Sequence, residues 1–148
     1  MDRLLLTAVL PLVAFALLTL GNAFFVAAEF GLVTVDRVEI DKRAEQGDRR
    51  ARTVRQALRE LSFQLSGAQL GITITALLTG YLAEPALARL FTPIIEPLAG
   101  DATDTISRIL ALVLATLVSM LFGELVPKNA ALARPMRAAL ATAAPLRT

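Results

Sequence analysis

Two long stretches without a single charged residue constrain this sequence more than any other feature. They run over residues 4–28 and 61–83 and are 25 and 23 residues long. A helix of eighteen or more such residues is long enough to cross a hydrocarbon core of roughly 30 Å. Inside lipid the backbone must satisfy its own hydrogen bonds, which favours helices. The sequence therefore predicts an all-α integral membrane protein.

A third apolar stretch is shorter and ends at charged residues. Residues 109–123 are uncharged, but 15 helical residues span only about 22 Å, too little to cross. Continuing the helix to Pro127 gives 19 residues, or roughly 28 Å, which does cross. Glu124 then lies within or at the edge of the membrane. The sequence predicts three transmembrane helices, at about 4–35, 61–83 and 105–127.

The segment between the first two spans is strongly charged. Residues 36–60 hold eight Lys/Arg and six Asp/Glu. We expect a break at residues 46–48 and then a helix that has Ala51, Val54 and Leu58 on one face, as in a basic juxtamembrane helix lying along a membrane surface. A solvated charged loop is the alternative. Either way, the basic residues mark the segment as cytoplasmic.

This orientation places the remaining segments. We expect a multi-pass protein of the plasma membrane with its N-terminus outside. Pro85 is expected to end or bend the second helix, so that residues 84–104 form a short helix and a loop at the outer surface. Residues 129–148 would begin a further helix on the cytoplasmic side. The sequence reads as a membrane domain truncated at its C-terminus.

A cleaved signal peptide is an alternative interpretation of the first stretch. Arg3 would supply its basic region and residues 26–28 a crude cleavage site. Against this, the apolar run is longer than usual, and Glu29 and a second apolar stretch follow at once.

The residue types that are missing exclude several kinds of chemistry. The sequence has no Cys and no His, so the usual zinc sites, Cys nucleophiles and disulfides are excluded. A metal would have to be bound through oxygen, which suits hard cations such as Mg²⁺. A formal charge of +2 is too small to indicate nucleic acid. No nucleophile–base pair or phosphate loop indicates an enzyme.

Glu124 is the strongest candidate for binding a cation. A carboxylate at membrane depth is costly unless it is paired or binds a cation. Gly123 permits close approach of another group, and Pro127 removes a backbone donor, which frees the carbonyl near Gly123. The negative end of the helix dipole favours a cation there. The alternative is a salt bridge from Glu124 to Lys128, four residues on.

Polar residues on the first two helices supply further candidates. Asn22 and Glu29 are seven residues apart and share a helical face. Gln69 and Thr73 share a face of the second helix and should face another helix or a wet cavity, with simple interhelical hydrogen bonding as an equal alternative. For Glu29 we favour a structural or gating role, for example a bridge to Lys128.

Three motifs, taken together, resemble the membrane domain of the cyclin-M/CorC (CNNM/CorC) family, often labelled hemolysin-like in bacteria. The first is GNAFFVAAEF at residues 21–30, and the second is LSGAQLGIT at residues 65–73. The third, GELVPK at residues 123–128, matches the family pattern Gly-Glu-x-x-Pro-Lys. The three lie in one order and spacing over nearly the whole chain.

The resemblance implies a homodimer in the lipid bilayer, followed in the full-length protein by cytoplasmic CBS domains. It implies transport of Mg²⁺, and in some members Co²⁺, most often as efflux, with Na⁺ suggested as a coupling ion. The metal ligands that it implies are Asn22, Gln69, Thr73, Gly123 and Glu124. The structural or gating residues are Glu29, Pro127 and Lys128.

The chain departs from the family pattern at Val26, where members with a clear ion site have serine. Val26 offers no side-chain oxygen, so the site is built differently or has weakened or changed its ion. A second hypothesis is a dimerising membrane anchor or regulatory scaffold for the CBS domains, without transport activity of its own.

Overall fold

The computed structural model describes residues 9–147, which form helices joined by short turns. The α-helices are α1 (Leu10–Thr34), α2 (Arg37–Glu45), α3 (Arg49–Arg59), α4 (Leu61–Ala99), α5 (Thr103–Val118), α6 (Val126–Ala133) and α7 (Pro135–Leu146). A 3-10 turn, Gly100–Ala102, joins α4 to α5, and a π-helical segment, Ser119–Leu125, joins α5 to α6. No strand occurs in the described range, which confirms the all-α prediction. The predicted first five residues of the first helix, 4–8, lie outside that range.

Two helical stretches are long and apolar enough to cross a membrane. They are Leu10–Thr34, of 25 residues, and Leu61–Ala133, of 73 residues. The second stretch turns back at residues 100–102, so α4 and α5 pack side by side in opposite directions. Most of the apolar side chains on both stretches lie at the surface of the single chain. Large exposed apolar surfaces are typical of helices that lipid or another subunit surrounds.

Helix α1 is the centre of the bundle and contacts α4, the π-helical segment, α6 and α7. At the end near the Gly100–Ala102 turn, which we call the distal end, Phe15 packs into a small core with Leu87 and Ala111. At the opposite, charged end, a second core joins α1 to α2, α3 and α7 through Leu32, Val54 and neighbouring residues. Asn22 lies midway between the two cores, at the middle of α1.

The sequence predicts that the second helix ends or bends at Glu84-Pro85, and the structure shows that α4 does not end there. It continues through Pro85, Pro93 and Pro97 to Ala99, so the predicted short outer helix is a continuation of the second helix. The reason is tertiary packing, because Ala83 and Leu87, on either side of Pro85, are buried in the distal core. Neighbouring helices compensate for the backbone donor that proline lacks.

The third helical run is also longer than predicted. Helical backbone continues from α5 through the π-helical segment and past Pro127 to Ala133. It ends at Arg134, whose φ of −139° is not helical, and Pro135 then begins α7. The break therefore comes immediately before Pro135, where proline disfavours the helical conformation in the preceding residue.

The charged segment forms two helices with the predicted break between them. Gly47 has a φ of +99°, which favours glycine, and Asp48 caps α3 by accepting hydrogen bonds from Arg50 N at 2.9 Å and Ala51 N at 3.2 Å. The apolar face of α3, which we expected along a membrane surface, packs against other helices of the chain. Val54 is fully buried in the charged-end core, where α3 contacts α7.

Asp48→Ala tests the cap that begins α3. Losing it is expected to lower the free energy of unfolding by about 1 kcal/mol, because two backbone N–H groups lose their acceptor. Thermal unfolding followed by circular dichroism in detergent measures this. The control is Asp41→Ala on the exposed side of α2, which should leave the melting temperature unchanged or slightly raised. Equal losses in the two variants would contradict the assignment.

Candidate functional site

Asn22 joins three helical segments through its side-chain amide. Only 1% of the residue is exposed. Its Nδ2 donates a hydrogen bond to the carbonyl oxygen of Gly123 at 3.1 Å, and its Oδ1 accepts one from Thr75 Oγ1 at 2.8 Å. The amide thus connects α1 to α4 and to the π-helical segment, halfway between the two apolar cores.

The sequence around Gly123 explains why this contact forms. A Cβ at Gly123 would lie 3.1 Å from Asn22 Nδ2, so a larger residue there would push the amide back by a few tenths of an ångström. In a regular helix the carbonyl of Gly123 would accept from the N–H of the residue four positions on, which is Pro127 and has none. The backbone there is π-helical, with Val126 N–H bonded to the carbonyl of Leu121. A backbone carbonyl is therefore available to a side chain at this depth.

Thr75 is a member of the site that the sequence analysis did not select. Its hydroxyl lies 2.8 Å from both Asn22 Oδ1 and the carbonyl of Gly71. A hydroxyl has one hydrogen to donate, so Thr75 can serve either acceptor. Asn22 Oδ1 can consequently be released without leaving the hydroxyl unpaired. Two signals point to Thr75: it is polar within an apolar span, and Gly21, one residue before Asn22, faces its methyl group.

We expected the helices to enclose Glu124, but they do not. It lies at the surface of the single chain and lines a cavity of about 310 Å³ between α4 and α5, together with Thr79 and Ser119. Among the described residues it has no hydrogen-bond or ion-pair partner, so the alternative of a salt bridge to Lys128 is not formed. The amide of Asn22 occupies the space beside Gly123 instead.

The other two polar candidates on α4 lie away from Asn22. Gln69 precedes Thr75 by six residues, about 9 Å along the helix. It is exposed, and its Nε2 donates to Glu29 Oε1 at 3.3 Å. Thr73 is also exposed, and its hydroxyl donates to the Gln69 carbonyl at 2.9 Å. Their role as metal ligands stays a prediction.

The remaining motif residues lie near the charged end. Lys128 Nζ is 4.8 Å from the centre of the Phe30 ring, a cation–π contact between α6 and α1. Pro127 is buried. The described partner of Glu29 is Gln69 rather than a basic residue. These contacts connect the first motif to the second and to the third.

The oxygens available at this site limit what it could bind. No group of three or more acidic, Cys or His side chains comes together within residues 9–147. A cation there would therefore be held by one carboxylate with neutral side-chain and backbone oxygens. Oxygen ligands of this kind suit hard cations.

The long apolar helices and the polar junction inside them define a membrane domain. The chain belongs to the cyclin M family, since residues 12–148 match the family model described as "Cyclin M transmembrane N-terminal domain". This confirms the resemblance seen in the three motifs.

Similar proteins occur in several bacteria. The UPF0053 protein MT1890 of Mycobacterium tuberculosis is 47% identical over 133 residues, which are 88% of this chain and 29% of that protein. The UPF0053 protein YhdT of Bacillus subtilis is 40% identical over 128 residues, 85% of this chain and 28% of that protein. The chain thus spans less than a third of the length of these relatives.

Proposed function

We propose that this chain is the membrane domain of a divalent-cation transporter that moves Mg²⁺, and with it Co²⁺, out of the cell. Three segments cross the membrane: α1, α4, and α5 with the π-helical segment. The charged end, with α2, α3 and α7, lies in the cytoplasm, in agreement with its eight basic residues between positions 36 and 60. The family and the polar junction at Asn22 support this proposal.

One observation carries the proposal: the carbonyl of Gly123, which can accept no hydrogen bond from Pro127 four positions on, is held by the amide of Asn22 beside Glu124. An NH₂ group donating to a carbonyl occupies the place that a cation would take. Rotation of the amide would present Oδ1 instead of Nδ2, and Thr75 can release that oxygen to its own backbone. The site then offers Asn22 Oδ1, the Gly123 carbonyl and the Glu124 carboxylate.

A homodimer accounts for the surface on which Glu124 lies. A carboxylate without a partner is costly against lipid, and the neighbouring Met120, Leu121 and Phe122 are exposed apolar side chains. A second subunit covering this face would place Glu124 in protein surroundings. In the full-length protein, cytoplasmic CBS domains would regulate the exit of the ion, and Na⁺ entry would drive it.

The test is the effect of Mg²⁺ on the thermal unfolding of the purified protein. At ten times its dissociation constant, Mg²⁺ should stabilise the wild type by about 1.4 kcal/mol. Glu124→Gln removes the negative charge and should lose the stabilisation that the central site contributes, so that its response to Mg²⁺ is smaller than that of the wild type. Glu96→Gln, which alters an exposed carboxylate at the distal end, is the control and should respond like the wild type.

Two outcomes would contradict the proposal. The first is an equal Mg²⁺ response in Glu124→Gln and in the wild type. The second is a wild type whose unfolding does not respond to Mg²⁺ and which moves no Mg²⁺ in sealed vesicles. The second result would favour the membrane-anchor hypothesis.

A further inference from the structure

Three buried oxygen atoms without a hydrogen-bond partner lie along the contact between α4 and α5. They are Thr79 Oγ1, Glu84 Oε1 and Ser107 Oγ. Other buried hydroxyls are satisfied in the usual way: those of Thr19 and Thr142 donate to the backbone carbonyl four residues earlier. The unpaired oxygens therefore mark this contact as different from the rest of the bundle.

Leaving a buried polar group unpaired costs roughly 1–3 kcal/mol, and such groups are rare in native proteins. Two of the three, Glu84 and Ser107, line the same distal pocket of about 180 Å³. Ser107 is only 1% exposed and lines this pocket, and its hydroxyl has no hydrogen-bond partner among the described residues. The pocket has room for several water molecules, or for an ion with part of its hydration shell.

The charges around the pocket decide what it can hold. Glu84 and Asp104 contribute negative charge, while Arg89 and Arg108 contribute positive charge. Arg108 Nη1 lies 3.6 Å from Glu84 Oε1, too far for a hydrogen bond, and the Arg108 side chain is 69% exposed. An ion pair this exposed is weak and easily opened. Arg108 can therefore give up its position to a small cation.

The pocket and the cavity that Glu124 lines are neighbours along the α4–α5 contact. That cavity shares Gly80 and Leu112 with an intermediate cavity, which shares Glu84 and Arg108 with the distal pocket. The third unpaired oxygen, on Thr79, lies along this route. Oxygen atoms without hydrogen-bond partners thus lie along the α4–α5 contact from the middle of the bundle to its distal end.

We propose that the distal pocket is a second cation-binding site, with Glu84 and Ser107 as its inner ligands and Arg108 as a tethered cation that the ion displaces. The site takes a small hard cation, because its donors are a carboxylate and hydroxyl oxygens. This inference rests on the proposed transport function: the distal pocket is the last station before the ion leaves.

The test counts the Mg²⁺ ions bound per chain, by equilibrium dialysis of the purified protein in a sodium-free buffer. The wild type should bind two, and Glu84→Gln should bind one. Arg108→Gln removes the competing charge and should tighten the distal site about two- to fivefold. Glu96→Gln, on the same helix and exposed, is the control and should still bind two. If added Na⁺ releases one ion from the wild type but none from Glu84→Gln, the distal site binds sodium as well, which still supports a cation site.

The same measurement separates the two proposals. Glu124→Gln should lose the central ion and keep the distal one. If it binds as many ions as the wild type while Glu84→Gln loses one, the central site fails and the distal site stands. If Glu84→Gln and the wild type bind the same number, the pocket holds only water and this inference is overturned.

Misfolding of Glu84→Gln would not leave the question open. Ser107→Ala removes only a hydroxyl from a small buried side chain, and it should lower distal affinity while keeping the wild-type circular dichroism spectrum. Unchanged distal affinity in Ser107→Ala, or weaker binding in Arg108→Gln, would also overturn the proposal.

Discussion

Asn22→Leu is expected to lower the free energy of unfolding by about 2–4 kcal/mol, because leucine has nearly the same size but no hydrogen-bonding group. The Gly123 carbonyl would lose its donor in the middle of the bundle, at about 1–3 kcal/mol. The branched side chain of leucine would also be crowded against Gly123, and this overpacking adds to the loss. Reversible unfolding in mixed detergent micelles measures the change.

Thr19→Val is the matched control for Asn22→Leu. Thr19 is buried on the same helix, but the described hydrogen bond of its hydroxyl goes to the Phe15 carbonyl of that helix. Removing the hydroxyl therefore takes no hydrogen bond away from another helix. We expect a change below about 1 kcal/mol. A loss in Thr19→Val as large as that in Asn22→Leu would show that the amide has no special role.

A double-mutant cycle tests the second hydrogen bond of the amide. Thr75→Val removes the donor to Asn22 Oδ1 and should cost about 1 kcal/mol. Because both substitutions break the same bond, the double variant should be more stable than the sum of the two losses implies. Strict additivity would contradict the contact between α1 and α4.

The sequence was sufficient for features that depend on neighbouring residues. Apolar runs longer than 20 residues predicted the helices, and the Gly47-Asp48 pair predicted the break before α3. The proline at position 127 predicted an unpaired carbonyl near Gly123, and Asn22 bonds to that carbonyl. In each case the residues that cause the feature lie within a few positions of it in the sequence.

Features that depend on packing between helices could not be predicted in the same way. The second span carries six Gln, Ser and Thr residues between positions 64 and 79, and the rotation of α4 against α1 decides that Thr75 rather than Thr73 reaches Asn22. The same holds for Pro85, where burial of Ala83 and Leu87 overrides the local preference. The position of Glu124 at the chain surface depends on the π-helical segment that contains it, because the wider turn shifts side chains around the helix axis.

The amphipathic pattern of α3 shows how one signal fits two environments. A helix with one apolar face can lie on lipid or on another helix, and periodicity alone does not distinguish them. The apolar face of α3 packs on α7, which comes from the last 15 residues of the chain and packs against α1 as well. At Gly31 the backbones of α1 and α7 come close together.

Gly31→Val is therefore expected to separate α7 from the rest of the chain. A Cβ at position 31 would lie 3.0 Å from both Ala138 Cβ and the backbone nitrogen of Ala139. Backbone atoms cannot turn aside as a flexible side chain can, so the two helices must move apart. We expect a loss of about 2–4 kcal/mol, because overpacking adds to the burial lost between α7 and α3. Amide hydrogen exchange should accelerate in α7 and α3 and stay unchanged in α5.

Gly67→Ala provides the control, because nothing lies within 4 Å of a Cβ at position 67. Alanine favours a helix over glycine by about 1 kcal/mol, so this variant should be at least as stable as the wild type. Gly71→Ala should fall between the two: its Cβ would lie 2.6 Å from the Phe25 ring, a side chain that can turn away. If Gly31→Val left exchange in α7 unchanged, α7 would not be held against α1 at this point. The charged end would then have to be built from α1, α2 and α3 alone, and Val54 and Ala57 would lose their contacts with Ala139 and Ala143.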